Sequence, residues 1–177
     1  NVYMAGYTAS SAGIIIATVG SHQSTYGGSQ DAFLVKFNSS GIRQWGTYYG
    51  GAGFDAGLSS TTDGSGNVYM AGFTVSNTGT VISTAGSHQP SYGGGTYDAF
   101  LVKFNSSGVR QWSTYYGGTG SDIGISCATD GSGNVYLAGQ TNSNSGTGIA
   151  TPGSHQSPYG GGTWDAFLVK FNSSGVR

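Results

Sequence analysis

Asp98-Ala99-Phe100-Leu101-Val102-Lys103-Phe104 carries apolar side chains on both faces of what reads as an extended strand. Alternation puts Phe100, Val102 and Phe104 on one face and Ala99 and Leu101 on the other. A strand that is apolar on both sides needs a cover on both sides. The same seven residues stand at Asp31–Phe37 and again at Asp165–Phe171. Around them the whole chain repeats. Asn1-Val2-Tyr3-Met4-Ala5-Gly6 returns at Asn67 and, with Leu for Met, at Asn134. The copies run over 1–66, 67–133 and 134–177, the last one incomplete.

Each copy holds four candidate strands. In the second copy they are Asn67–Thr74, Ala99–Phe104, Val109–Tyr116 and Ile123–Thr129, with a long loop from Val75 to Tyr97 after the first. Asn105-Ser106-Ser107-Gly108 and Asp130-Gly131-Ser132-Gly133 are turn sequences, because Asn and Gly tolerate left-handed backbone. Short turns between neighbours predict antiparallel pairing as a meander. Stacking such sheets face to face, each covering the next, satisfies the doubly apolar strand. The strand Ala56–Thr62 is small and rich in hydroxyls, as suits the innermost position near a narrow axis. The strand bearing Trp45, Tyr48 and Tyr49 is bulky and suits the splayed outer edge. The expectation is an all-β fold, a partial β-propeller array of under three blades of four antiparallel strands. A β-solenoid or an open sandwich is the alternative.

Composition agrees with strands and tight turns. The 177 residues include 34 glycines and 12 tyrosines, and only 7% are charged. Disordered chains are poorer in aromatics and richer in charge. A net charge of −1 lacks the clustered Lys and Arg by which proteins grip nucleic acid. The longest apolar stretch, around Ala12 to Val19, falls short of the ~20 residues that cross a bilayer, so no membrane insertion is expected. The lone Cys127 has no disulfide partner and stands where the previous copy has Ser60, which reads as a small core position. The weakly charged, Gly- and Thr-rich surface suggests an extracellular or cell-surface setting. The chain opens and closes inside a repeat, and is read as an excerpt of a longer array.

The titratable groups obey the repeat. Lys36, Lys103 and Lys170 match one another, as do Arg43, Arg110 and Arg177, and His22, His88 and His155. All seven acids are aspartates in matching places: Asp31, Asp98 and Asp165; Asp55 and Asp122; Asp63 and Asp130. A catalytic centre usually gathers titratable groups asymmetrically around one pocket. No one-off charge is present here to build one, and no Gly-x-Ser-x-Gly elbow occurs. Neither catalytic residues nor a cofactor are expected. The aspartates before the apolar strand read as caps of the loop, or as partners of a neighbouring blade's Lys or Arg.

Taken together, three stretches carry a specific resemblance. They are Asp63-Gly-Ser-Gly-Asn-Val-Tyr-Met-Ala-Gly-Phe-Thr74, Gly94-Gly-Thr-Tyr-Asp-Ala-Phe-Leu-Val-Lys-Phe-Asn-Ser-Ser-Gly108 and Trp112-Ser-Thr-Tyr-Tyr-Gly-Gly118. The chain resembles the seven-bladed beta-propeller repeat family (SBBP) along essentially its whole length. The resemblance implies a propeller in a large secreted or surface-anchored bacterial protein, with a binding or scaffolding role and no catalytic residues to carry over. The chain departs from it in length, since closed propellers need about four to eight blades.

Open end blades leave apolar sheets uncovered, so the leading expectation is a structural or adhesive module that joins copies of itself head to tail. The first copy then enters at its second strand and the last stops before its third. A lectin-like propeller with one weak site per blade is the alternative. Its candidate residues are Tyr26, Tyr92 and Tyr159 in Tyr-Gly-Gly segments, Tyr97 and Trp164 before the apolar strand, and His22, His88 and His155. Packing within or between blades is the competing role for each of them. Asp63, Asn67, Asp130 and Asn134 offer a weak calcium alternative to a plain hairpin turn. Asn38, Asn105 and Asn172 match the glycosylation sequon, but sit in turns. The long loops vary most between copies, at Ser10–Thr18, Val75–Ala85 and Asn142–Pro152, where specificity is expected.

Overall fold

The protein is described here by a computed structural model covering residues 1–11, 16–78, 81–144 and 148–177. Parts of the three variable loops, residues 12–15, 79–80 and 145–147, lie outside the described residues. The described chain is all β, with ten strands: β1 Val2–Thr8, β2 Asp31–Phe37, β3 Arg43–Tyr49, β4 Asp55–Thr62, β5 Val68–Thr74, β6 Asp98–Phe104, β7 Arg110–Tyr116, β8 Asp122–Thr129, β9 Val135–Thr141 and β10 Asp165–Phe171. The strands form three antiparallel sheets, β1-β2-β3, β4-β5-β6-β7 and β8-β9-β10. They are the blades of an open, partial β-propeller, of which the middle one has all four strands.

The sheets are offset from the sequence copies by one strand. β4, the last strand of the first copy, pairs with β5, the first strand of the second, from Asp55↔Thr74 to Thr62↔Val68. The cause lies in the links. Asp63 to Asn67 is a tight hairpin that keeps β4 and β5 in one sheet, the Asp63 N–H donating to Asn67 O at 3.0 Å. After β3 and β7, by contrast, Gly50-Gly51 and Gly117-Gly118 carry the chain across to the next sheet. The first blade therefore begins at its second strand. The last holds three strands, one more than the copy-by-copy reading allows.

β4 is the inner strand and packs against β1 and β8 of the flanking sheets. Its hydroxyls serve these contacts: Ser59 Oγ accepts from the Cys127 N–H at 3.1 Å, and Thr129 Oγ1 donates to Thr62 O at 2.8 Å. Cys127 is buried there, as a core residue. Bulges after Gly57 and Gly124 turn Leu58 and Ile125 outward, to 43% and 48% exposure. The middle sheet feeds two separate cores. Phe100, Val102 and Phe104 join Leu34, Trp45 and Tyr49 of the first sheet, whereas Ala99 and Leu101 join Leu137, Phe167 and Phe171 of the third. Each fully buried Leu, Val or Phe side chain among them contributes roughly 1.5–3 kcal/mol.

Candidate functional site

The chemistry of this chain gathers at the two seams between blades, which are built from the same residues one copy apart. At the outer rim, Lys36 Nζ (2.7 Å) and Trp45 Nε1 (3.1 Å) both donate to Ser106 O in the Asn-Ser-Ser-Gly turn of the following blade. Lys103 Nζ and Trp112 Nε1, each at 3.0 Å, hold Ser173 O in the same way. The turn is shaped by its asparagine, since Asn105 Oδ1 accepts from the N–H groups of Ser107 and Val109. Its glycine must be glycine. Gly108 has φ +81° and lies under the Trp45 ring, where an added Cβ would sit 2.8 Å from Cδ2. Lys103 also lies over the Tyr69 ring at 5.3 Å, and Lys36 over Tyr3 at 5.9 Å.

The histidines sit in these seams. His22 packs on Tyr49 of its own blade and on Phe104 of the next, His88 on Tyr116 and Phe171. Burial, reinforced by Arg110, pulls the His22 pKa down to about 4. Burial and Arg177 lower that of His88 as well. His155, in the last blade, is exposed.

The tyrosines placed among the candidate ligands for sugars are partly spent on packing. Tyr26 meets Tyr48 edge-on at 5.9 Å, Tyr92 meets Tyr115 likewise, and Tyr97 meets Phe73 at 4.9 Å. The Tyr26, Tyr92 and Tyr159 hydroxyls donate within their own loops, to the carbonyls of Ser29, Gly95 and Gly162. Tyr159 lines an open hollow of about 540 Å³ with Asn142, Asn144 and Thr163, while Trp164 is half-buried nearby in sequence. A second cleft, about 340 Å³, opens at the outer rim of the second seam between His88, Gln111, Trp112, Ser174 and Arg177. The structure thus brings His88 together with a tryptophan and amide and hydroxyl groups, and leaves Tyr92 and Tyr97 outside that cleft.

At the calcium alternative, the hairpin uses the carboxylate. Asp63 Oδ1 accepts from the N–H groups of Ser65 and Asn67, and Oδ2 from Asn67 Nδ2 (2.7 Å) and Tyr69 OH (3.2 Å). Asp130 and Asn134 repeat this, and these hydrogen bonds draw the Asp130 pKa down to about 2. Among the described residues no group of three or more His, Cys, Asp or Glu gathers where a metal ion is held.

The aspartates before the apolar strands differ from expectation in their company. They do cap the preceding loop: Asp98 Oδ2 accepts from the Gly93 N–H (2.6 Å) and Gln89 Nε2 (3.1 Å), and Asp31 Oδ2 from Gly27 and Gln23. The neighbouring blade, however, presents an aspartate rather than a Lys or Arg at this point. A Cβ on Gly117 would lie 2.6 Å from Asp122 Oδ2 and 3.1 Å from Asp98 Cγ; on Gly50 it would lie 2.6 Å from Asp55 Oδ2 and 3.0 Å from Asp31 Oδ1. The lysines go instead to the turns. In the sequence Asp55 and Asp122 stand only as matching positions of the repeat. The available signal was that each lies equally far beyond Asp31 or Asp98, with a Gly-Gly pair between.

Residues 111–150, from β7 to just beyond β9, match the SBBP beta-propeller repeat. The chain is also 28% identical over 148 residues to the Regulatory protein FlaEY of Caulobacter vibrioides, covering 84% of this chain and 15% of that protein. It thus spans well under two thirds of that relative's length. The matched segment lies across the seam between two blades of one repeated design, so at residues 111–150 the chain is similar to a beta-propeller repeat.

Proposed function

We propose that this chain is a non-enzymatic structural or adhesive propeller module of an extracellular or cell-surface protein, able to join further units head to tail through its end blades. The supporting observation is that the contacts closing each seam have unmatched halves at the two ends. Gly41, whose counterpart Gly108 lies buried beneath Trp45, is exposed, and a Cβ added there would meet nothing within 4 Å beyond its chain neighbours among the described residues. At the other end Leu168 is 72% exposed, and Lys170 and His155 are exposed too. Another unit of the same design, in the same chain or a second copy, fits both ends. Association of identical strips closes into a ring or runs on as a filament, according to the rotation between them. The match to 15% of a longer relative accords with a repeat module set in a larger chain.

Light scattering on the 177-residue chain at rising concentration tests the reading. Growth in mass that Leu168→Lys abolishes is expected. A dispersed monomer at every concentration overturns head-to-tail joining. A lectin-like role is the second reading, favoured by the cleft holding Trp112, His88 and Gln111, groups suited to stacking on a sugar ring and bonding its hydroxyls. Binding on a glycan array that is lost in Gln111→Ala supports it, and an array without binding sets it aside.

A further inference from the structure

Asp31, Asp55, Asp98 and Asp122 are all 0% exposed, and they meet in pairs across the seams. Asp31 on β2 faces Asp55 on β4 of the next blade, and Asp98 on β6 faces Asp122 on β8. In each pair the oxygens are unevenly used. Asp31 Oδ2 and Asp98 Oδ2 are taken up by loop donors, while Asp31 Oδ1 and Asp98 Oδ1 are buried without a hydrogen-bond partner among the described residues. Asp55 accepts from Thr74 Oγ1, Ser76 Oγ and the Gly51 N–H. Asp122 Oδ2 accepts from Ser143 Oγ and the Gly118 N–H, and Thr141, the counterpart of Thr74, hydrogen-bonds the same carboxyl. A buried oxygen without a partner is costly, and two carboxylates crowded on one glycine resist ionising together. A proton on the empty oxygen relieves both, turning an unsatisfied acceptor into a donor towards the facing carboxylate.

We propose that each seam is locked by one proton held between its two carboxyl groups, Asp31 with Asp55 and Asp98 with Asp122, and that blade-to-blade adhesion weakens when the proton leaves. The electrostatics agree. Burial raises the pKa of all four acids, with the neighbouring acid adding to the rise for Asp31 and Asp98, and Asp98 reaches about 7. The pair titrates as a unit. The ionisable groups around it are tyrosines that stay neutral over this range. Tyr26, Tyr48 and Tyr49 feel the first pair, Tyr92 and Tyr116 the second, and Tyr115 feels both Asp55 and Asp98. Arg110 and Arg177 act on Tyr49 and Tyr116 in the same seams, as they do on His22 and His88. Since the folded pKa is raised, the stabilisation is complete below the unfolded value of about 4 and is lost as pH rises through the folded value.

The test follows thermal unfolding of the full chain from about pH 4 to pH 9 beside Asp98→Asn and Asp31→Asn, whose amides donate to the facing carboxylate at any pH. The unsubstituted chain is expected to lose about 5 °C or more in Tm across this range relative to either variant. Equal pH slopes in the three proteins overturn the proposal. So does a calcium-dependent rise in Tm at high pH that Asp98→Asn removes, since the pair is then a cation site. Should the variants fail to fold, infrared spectra of the unsubstituted chain decide. A protonated carboxyl band persisting at about pH 6, where exposed aspartates are ionised, supports the shared proton, and its loss by that pH refutes it.

Discussion

The heptapeptide Asp-Ala-Phe-Leu-Val-Lys-Phe occurs three times and has three environments. In β6, between two blades, all seven residues are buried. In β2, which lacks a blade on one side, Phe33, Lys36 and Phe37 are only half covered. In β10, with the opposite face open, Ala166, Leu168 and Lys170 are exposed while Phe167, Val169 and Phe171 are buried. Identical sequence and identical strand geometry thus give different cores. Burial in this fold belongs to the seam between units, as one-dimensional repeat arrays require.

Phe100→Ala against Leu168→Ala gives the widest contrast. Phe100 is fully buried, with its ring 5.1 Å from that of Tyr49 across the first seam. In urea unfolding at a dilution where the chain is monomeric, its loss is expected to cost about 3–5 kcal/mol, against less than about 0.5 for Leu168. Equal costs would mean that the end blade is already covered in solution. Next in size is Gly108→Ala against Gly41→Ala. Both positions have left-handed backbone, φ +81° and +74°, which costs either variant about 1 kcal/mol. Only Gly108 meets Trp45, so its variant is expected to lose a further ~1–3 kcal/mol, read in the same unfolding curves. Lys103→Ala against Lys170→Ala comes third. Lys103 is 9% exposed and donates to Ser173 O, so about 1 kcal/mol is expected there and a negligible change at Lys170, which is exposed.

The sequence made the architecture legible because its strongest signal, the doubly apolar strand, is a statement about neighbours. Phe100 and Leu101 do face different blades. Small β4 residues lie inside, and the Trp-Tyr-Tyr strands end their sheets. The offset between copy and sheet was not legible, since the choice of which linker crosses between sheets depends on how Gly50-Gly51 and Gly117-Gly118 pack against Asp55 and Asp122. At the candidate sites, sequence named His88 but missed Trp112, Gln111 and Arg177 beside it. Those residues come from two blades, and sequence spacing carries no record of which strands a seam brings together. The aspartate pairs escaped for the same reason. Each acid looks like an ordinary cap until its counterpart from the next blade arrives.

The smallest contrast concerns His22 in the first seam and His155 in the last blade. In the folded chain the neutral form of His22 is favoured, its pKa being pulled from 6.5 to about 4 by burial and Arg110. For a base depressed in this way the stabilisation is present above pH 6.5 and drains away as pH falls towards about 4. Partial exposure screens the effect, leaving about 1 kcal/mol. The direction is opposite to that of the aspartate pairs, so the two trends offset each other in the unsubstituted chain. Only substitution separates them. His22→Gln is expected to lessen the loss on the acid side, His88 keeping its share, and to leave a steeper fall towards high pH, whereas His155→Gln, on an exposed loop, is expected to leave Tm at pH 7 unchanged.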